Sequence, residues 1–274
     1  MAGSLTQGEK GQRYRALHAR EGAFLLPNPW DAGTAWLLQS LGFEALATTS
    51  AGYAFSMGRR DYALGREEMI AHVAALSAAT ELPLNADLEN GFGDEPETAA
   101  ETIRMAAEAG AAGGSIEDAT GRGDDPIYEK NLAAERIYAA AEAAKGLKAR
   151  FTLTARCENY LHGRQNLNDT IERLQAYQEA GADVLYAPGL KRREEIATLV
   201  AAVDRPVNVL MGTPGLDRDA LAAMGVKRIS VGSALARAAL TGFLRAAREM
   251  REQGTFGFAE EAISYQEISE MFPK

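Results

Sequence analysis

Short apolar runs alternate with longer, alanine-rich amphipathic runs along this chain, and the alternation repeats eight times. The apolar runs read AFLLPN (23–28), EALATTS (44–50), LPLNADLE (82–89), AGGSIED (112–118), FTLTARCE (151–158), DVLYAP (183–188), PVNVLMG (206–212) and RISVGS (228–233). Most lack regular polar alternation, as strands buried on both faces do. Between them lie runs such as DAGTAWLLQSLG, REEMIAHVAALSAAT, PETAAETIRMAAEAG, NDTIERLQAYQEAG and RREEIATLVAAV, which read as helices. Gly42, Gly110, Gly181 and Gly225 stand just before the following strands, where a left-handed glycine ends a helix sharply.

Eight such units in 274 residues predict an α/β fold of the closed (β/α)8 TIM-type barrel class, as a single domain over residues 1–274. The competing open, doubly wound sheet usually carries G-x-G-x-x-G after its first strand, and PNPWDAG stands there instead. Residues 254–274 exceed the eight units and read as a C-terminal helical extension, packed on the barrel or on a neighbouring subunit. A formal charge of -9 argues against non-specific nucleic-acid binding and against adhesion to anionic membranes. It leaves an anionic substrate open, because a metal and local arginines reverse the field inside a pocket. One cysteine excludes an internal disulfide and fits a reducing, cytoplasmic setting. The N-terminal residues have no apolar signal core, and no run approaches the roughly 18 uncharged apolar residues of a membrane span.

Barrel active sites lie at the carboxyl ends of the strands. Polar residues gather there: Thr48, Thr49 and Ser50 on the second run, Asp87 and Glu89 on the third, Glu117 and Asp118 on the fourth, Arg156 and Glu158 on the fifth, Asn208 on the seventh. The opposite ends read as plain Ala, Leu, Gly and Phe. Asp87 and Glu89 share one face of a strand, and Glu117 ends the next. Carboxylates converging without a partner raise one another's pKa. A hard divalent cation, Mg2+ or Mn2+, relieves this; helix caps and lysine pairs are the structural alternative. Asp61 in GRRDYALG either joins such a metal's outer shell or is a loop residue neutralised by Arg59 or Arg60. Asp118 is either a cap or a further member of the site. Arg156 either pairs with a substrate carboxylate or salt-bridges to Glu117 or Glu158. Ser50, Ala51 and Gly52 either offer backbone N–H groups to an anion or form a turn that needs a flexible glycine. Cys157 reads as packing, and His18, His72 and His162 sit away from the strand ends, which disfavours a histidine triad or zinc.

The ordered run of TTSAGYAFSMGRRD, LPLNADLENGFGD, GGSIEDATG and TARCENYL closely resembles the isocitrate lyase/phosphoenolpyruvate mutase superfamily, over residues 24 to about 235. The resemblance implies an α/β barrel whose last helix is exchanged between subunits of a homodimer or homotetramer. It implies Asp87 as the direct Mg2+ ligand, with Asp61, Glu89 and Glu117 holding metal-bound waters. Arg156 and Glu117 become the catalytic candidates, with Arg156 clamping a substrate carboxylate. Thr49, Ser50, Ala51 and Gly52 would hold the other end of a small oxo-acid, and Asn208 is counted among the substrate-binding residues.

The departures from that pattern are in the loops. ATGRGDDPIYEKN replaces both the cysteine-bearing K-K/R-C-G-H loop of the isocitrate and methylisocitrate lyases and the K-x-N of the phosphorus–carbon enzymes. Tyr186-Ala187-Pro188 stands where those lyases have a glutamate. The sequence looks most like the carboxyphosphonoenolpyruvate phosphonomutase-like or 2-oxocarboxylic acid lyase branch. The expected activity is a Mg2+-dependent lyase or decarboxylase that cleaves a C–C bond in a 2-oxo- or 2-hydroxy-dicarboxylic acid through an enolate. Decarboxylation needs no dedicated base. For retro-aldol cleavage the candidate bases are Tyr186, Tyr53, Tyr128 and Lys130. The competing readings are P–C chemistry, as mutase or phosphonopyruvate hydrolase, and a barrel that binds an oxo-acid without turning it over.

Overall fold

The computed structural model describes residues 5–212 and 215–272. One strand forms inside each of the eight apolar runs: β1 (Phe24–Leu26), β2 (Leu46–Ala47), β3 (Leu84–Asp87), β4 (Gly113–Glu117), β5 (Thr152–Arg156), β6 (Val184–Tyr186), β7 (Val207–Leu210) and β8 (Arg228–Ser230). The strands pair in parallel in the order β1-β8-β7-β6-β5-β4-β3-β2. The join between β1 and β2 is made by the Ala47 N–H, which donates to the Pro27 carbonyl at 3.0 Å. Asn28 ties the same corner to β8. Its amide donates to Thr48 O at 2.8 Å, and its Oδ1 accepts from the Val231 and Gly232 N–H groups at 3.0 and 2.9 Å. The sheet is a (β/α)8 barrel, as the periodicity predicts.

The helices are α1 (Gln7–Ala19), α2 (Ala32–Ser40), α3 (Ser50–Ser56), α4 (Arg66–Ala79), α5 (Pro96–Glu108), α6 (Lys130–Lys145), α7 (Leu167–Glu179), α8 (Arg193–Ala201), α9 (Arg218–Ala223), α10 (Ala234–Gln253), α11 (Phe258–Glu261) and α12 (Tyr265–Glu270). Gly42, Gly110, Gly181 and Gly225 follow α2, α5, α7 and α9 with φ of 84°, 98°, 106° and 89°, the left-handed stops their positions predict. Alanine decides how closely the helices lie: α5 buries Ala99, Ala100, Ile103, Ala106 and Ala107 and packs on α6, which buries Ala133, Ile137, Ala140, Ala141 and Ala144. None of the described helices is long and apolar enough to cross a membrane.

Three features depart from the sequence reading. The N-terminal segment forms α1, which plugs the bottom of the barrel with Tyr14, Leu17 and His18. Its Gly11 lies flush on β5's approach, where a Cβ would stand 2.1 Å from Arg150 O. The lower strand ends are not uniformly plain: Arg228 opens β8 as one of the largest fully buried side chains, and Thr152 opens β5 buried. The extension past residue 253 holds two short helices, α11 and α12, rather than one. The Trp36 indole N–H donates to Met271 O at 2.6 Å, which ties this segment back to α2; residues 273 and 274 lie outside the described residues.

His72 of α4 is buried, with its ring stacked on Tyr53 at a centroid distance of 3.7 Å and its Nε2 without a hydrogen-bond partner among the described residues. Burial pushes its pKa down from 6.5 to about 4, so the fold holds it neutral. Between those values the unfolded chain binds the extra proton, so stability is lost as pH falls, by up to about 1.4 kcal/mol per pH unit. We expect His72→Phe, which keeps the stack, to gain stability relative to the parent at pH 5 but not at pH 7.5. Urea-unfolding midpoints at the two pH values measure this, and a difference independent of pH would contradict it.

Candidate active site

The third strand carries its two carboxylates to the rim through an unusual stretch of backbone. Glu89 and Phe92 take left-handed φ of 48° and 65°, and Gly91 takes 81°. Gly91 is obligatory on two counts, because a Cβ there would also stand 3.1 Å from the Ala99 Cα. What holds the loop is Arg136 of α6, a buried guanidinium that donates to the carbonyls of Asn90, Gly93 and Asp94 and stacks 4.4 Å over the Tyr128 ring. The Glu89 carboxylate is thereby buried with no hydrogen-bond donor on it among the described residues. Burial first, then the charges of Asp87 and Asp61, push its pKa up to about 8.

Arg156 organises the adjacent strand ends. Parallel register sets it beside Glu117 of β4 on one side and Tyr186 of β6 on the other. Its guanidinium reaches Asp87 at 2.7 Å, Glu117 at 3.0 Å and Glu158 at 2.9 Å, and it lies 5.3 Å over the Tyr186 ring. Burial opposes the charge on Arg156, but Glu117, Glu158 and Asp87 outweigh it and hold the guanidinium protonated. Burial drives the Glu117 carboxyl well above its ordinary range and Glu158 up to about 7, although Arg156 pulls both down. In the chain by itself, the salt-bridge alternative for Arg156 is therefore realised, and it includes Asp87, a partner the sequence reading did not name.

Ser50, Ala51 and Gly52 are the first turn of α3 rather than a strand-to-loop turn. The Ser50 N–H donates to Asp87 Oδ2 at 3.0 Å, and Thr49 Oγ1 caps the Gly52 N–H at 3.2 Å. The Ala51 N–H has no acceptor among the described residues, as befits a first-turn donor. Gly52 does not need its flexibility; it needs its size, since a Cβ would meet the Thr49 methyl at 2.5 Å. Asp61 stands at the same rim, exposed, and its carboxyl is raised by burial of its surroundings and by Asp87. Arg59, offered as its surface partner, pairs with Glu68 instead.

These groups surround a cavity of about 170 Å³ at the carboxyl ends of the strands, lined by Thr49, Ser50, Ala51, Asp61, Asp87, Arg156, Tyr186 and Asn208 among others. Glu117 stands behind this lining, tied to it through Arg156, and Glu89 lines a neighbouring pocket with Tyr62, Asn90 and Thr120 instead. Of the four proposed bases only Tyr186 borders the cavity, buried, with its phenol pushed up to about 12 by burial. Tyr53 is stacked on His72, Tyr128 donates to Asp94 at 2.5 Å, and Lys130 pairs with Glu172 at 2.8 Å. Asp118 is a buried tie, not a rim residue: it accepts from the Glu158 N–H at 2.7 Å and the Tyr177 hydroxyl at 2.6 Å, and it pairs with Arg173. Cys157 is buried beside it.

Sequence reasoning missed Tyr62, whose hydroxyl donates to Glu117 Oε1 from a backbone with φ of 61°. It also missed Arg228 and Ser230, which line the deep part of the cavity. An aromatic next to Asp61 and an arginine inside an apolar run were the available signals.

A family model for phosphoenolpyruvate phosphomutase matches residues 14–251. A crystal structure from Burkholderia cenocepacia J2315, described as that of a candidate lyase/mutase, is 63% identical with a TM-score of 0.94, covering 96% of this chain and 95% of that one. An uncharacterised protein of Mycobacterium tuberculosis H37Rv is 33% identical over 241 residues, 87% of this chain and 89% of its own. The 2-methylisocitrate lyase of Escherichia coli K12 is 29% identical over 205 residues, 72% of this chain and 68% of its own.

Removing one partner of a buried ion cluster leaves the others uncompensated, at a cost of about 3–5 kcal/mol. Arg156→Met is expected to lose stability of that order at pH 8. The loss should shrink toward pH 5 as the freed carboxyls take up protons, and denaturant titrations at the two pH values read it.

Proposed function

The chain belongs to the phosphoenolpyruvate phosphomutase family, within the isocitrate lyase/phosphoenolpyruvate mutase superfamily of enzymes, and we propose that it is a Mg2+- or Mn2+-dependent lyase or decarboxylase cleaving a C–C bond of a small 2-oxo- or 2-hydroxy-dicarboxylate. The observation that carries this reading is a charge imbalance. Arg156 is shared by Asp87, Glu117 and Glu158, while Glu89 and Asp61 face Asp87 and form no ion pair with a cation among the described residues. An all-oxygen set of this kind fits a hard divalent ion. Among the described residues no three such side chains converge closely enough to ligate one ion together. The metal reading therefore has Asp87 bound directly and Asp61, Glu89 and Glu117 acting through water, an arrangement that magnesium, which keeps several of its waters, allows. Such an ion, when bound, supplies the positive charge that stabilises an oxygen becoming an enolate.

The chain's own groups do the rest. Arg156 borders the cavity and holds a substrate carboxylate. The uncommitted Ala51 N–H serves the opposite end of the oxo-acid, and Asn208 serves its inner side. Decarboxylation is the variant the site supports best. None of residues 119–130 lines the cavity, so the loop that replaces the cysteine-bearing segment offers no base for retro-aldol cleavage. That loop is folded on itself through Thr120 and is held by the Arg122–Asp94 pair at 2.9 Å. Tyr186, protonated at neutral pH, is the donor at hand for the carbon left when CO2 departs. The kinship to a 2-methylisocitrate lyase supports C–C chemistry in the same barrel.

A screen of 2-oxo- and 2-hydroxy-dicarboxylates, followed by release of CO2, pyruvate or glyoxylate, tests this directly. Turnover is expected with Mg2+, and it should disappear with EDTA and in Asp87→Ala. Activity that survives both overturns the metal-dependent reading.

The partner we assign is a second copy of the chain, in a homodimer or homotetramer. Only Ala236 of α10 is buried, and Leu240, Phe243, Leu244 and Met250 leave an apolar stripe uncovered, with Phe243 67% exposed. A stripe of this kind supports a subunit contact through α10, which precedes the 254–274 extension to which the sequence reading assigned the exchange. Sedimentation should give an oligomer that Phe243→Glu dissociates; a monomeric parent would refute the assignment.

A further inference from the structure

The lower end of the barrel, opposite the candidate active site, holds a second cavity. It measures about 240 Å³, and its lining includes Arg15 and His18 of α1, Arg150 and Thr152 at the approach to β5, Asp183 before β6 and Arg205 before β7. Its charge is unbalanced in the sense opposite to that of the upper rim. Of these three arginines only Arg150 pairs with Asp183, whose second oxygen accepts from the Leu153 N–H at 2.9 Å. Arg15 and Arg205 form no ion pair among the described residues. Asp204, next to Arg205 in sequence, is turned toward the Gln178 amide at 3.3 Å. His18 adds no charge, because burial and the Arg228 guanidinium 3.4 Å from its Nε2 hold its pKa down at about 3. Two positive charges are thus left over at one cavity, in a chain whose formal charge is -9.

Thr152 gives that cavity its inner end. Alternation along β5 sets Thr152, Thr154 and Arg156 on one face. Arg156 borders the upper cavity and Thr154 Oγ1 accepts from Arg228 at 3.0 Å, so this face is the interior of the barrel. Thr152 is 2% exposed, and its Oγ1 has no hydrogen-bond partner among the described residues. A buried hydroxyl left unpaired is costly, and this one can donate to an anion. Ala19, Val184 and Pro206 complete the cavity with an apolar wall, which leaves room for a carbon substituent.

We propose that this lower cavity binds a phosphate-type dianion, free or as the phosphate group of a small monoester, held by Arg15, Arg150 and Arg205 with the Thr152 hydroxyl as its innermost donor. A dianion matches the surplus charge, and guanidinium groups bind its oxygens in pairs. A carboxylate would leave one cation over. The site stands at the other end of β5 from Arg156, so it does not depend on the oxo-acid reading.

Thermal unfolding at pH 8 and constant ionic strength, with chloride replaced stepwise by phosphate, tests this. An anion held only by the folded chain raises the midpoint as its concentration rises. The parent should gain in phosphate over chloride, and calorimetric titration gives the affinity. Phenyl phosphate separates the two sources: tighter binding than inorganic phosphate assigns a monoester, and weaker binding assigns the free ion. Arg15→Gln combined with Arg205→Gln, both at exposed positions, should weaken binding roughly tenfold or more. Thr152→Val keeps the shape and removes the hydroxyl. It should be at least as stable as the parent in chloride yet bind phosphate several-fold more weakly, a split that a purely structural threonine would not show. A parent that gains nothing over chloride overturns the site. A gain that the double arginine variant keeps undiminished also overturns it, since the anion then sits elsewhere, and so does a folded Thr152→Val with parental affinity. If Thr152→Val does not fold, the double variant decides alone.

Discussion

The ion cluster around Arg156 is the constraint on which the upper rim of this barrel depends. Asp87, Glu117 and Glu158 come from different strand ends, and each is brought within 3.0 Å of the same guanidinium. Three carboxylates, two of them buried, can stand that close only because one permanently charged group is shared among them. The sharing leaves negative charge to spare, since Glu89 and Asp61 pair with no cation among the described residues. The same arrangement thus explains how the fold tolerates its own site and why that site suits a divalent ion. The register of β4, β5 and β6 is what makes it work: a shift of one residue in β5 would turn Arg156 to the outside of the barrel.

Beneath the rim the barrel is filled differently from one packed with branched apolar side chains. Asn85, Ser115, Thr154, Asn208, Arg228 and Ser230 are buried there, and the last four are tied to one another by directional hydrogen bonds. Such an interior needs a seal against water, and α1 supplies it. Tyr14 and His18 each touch both the apolar cluster at the barrel's base, edge-on to Phe24, and the buried guanidinium. The bottom plug and the floor of the cavity are therefore one connected structure, and the N-terminal helix contributes to the site without reaching it.

Relatives that share this scaffold need not share its loops. The barrel, the carboxylates and Arg156 come from strand ends, whose positions the sheet dictates. The segment over residues 119–130 is set by local pairs, the Ala119–Ile127 bridge and the Tyr128 and Arg122 contacts to Asp94. Those pairs keep it clear of the cavity. Chemistry that depends on a loop residue is accordingly the part least transferable from one family member to another.

Much of this was legible in the residues themselves. Eight apolar runs and the glycines after them are local signals, because burial on both faces and left-handed backbone each demand particular side chains at one position. The rim carboxylates and Arg156 were legible for a related reason: charges at the end of apolar strands need a partner. What the sequence could not determine was which partner. Arg156 and Asp87 are 69 residues apart, and only closure of the sheet makes them neighbours. Tyr62 on Glu117, Arg136 on the loop of Glu89, and Arg228 beneath Asn208 are contacts of the same long-range kind. Gly52 shows the difference most simply. Its presence reads in sequence as a need for flexibility, and the fold shows that the need is for space, because a neighbouring side chain occupies the place where a Cβ would be.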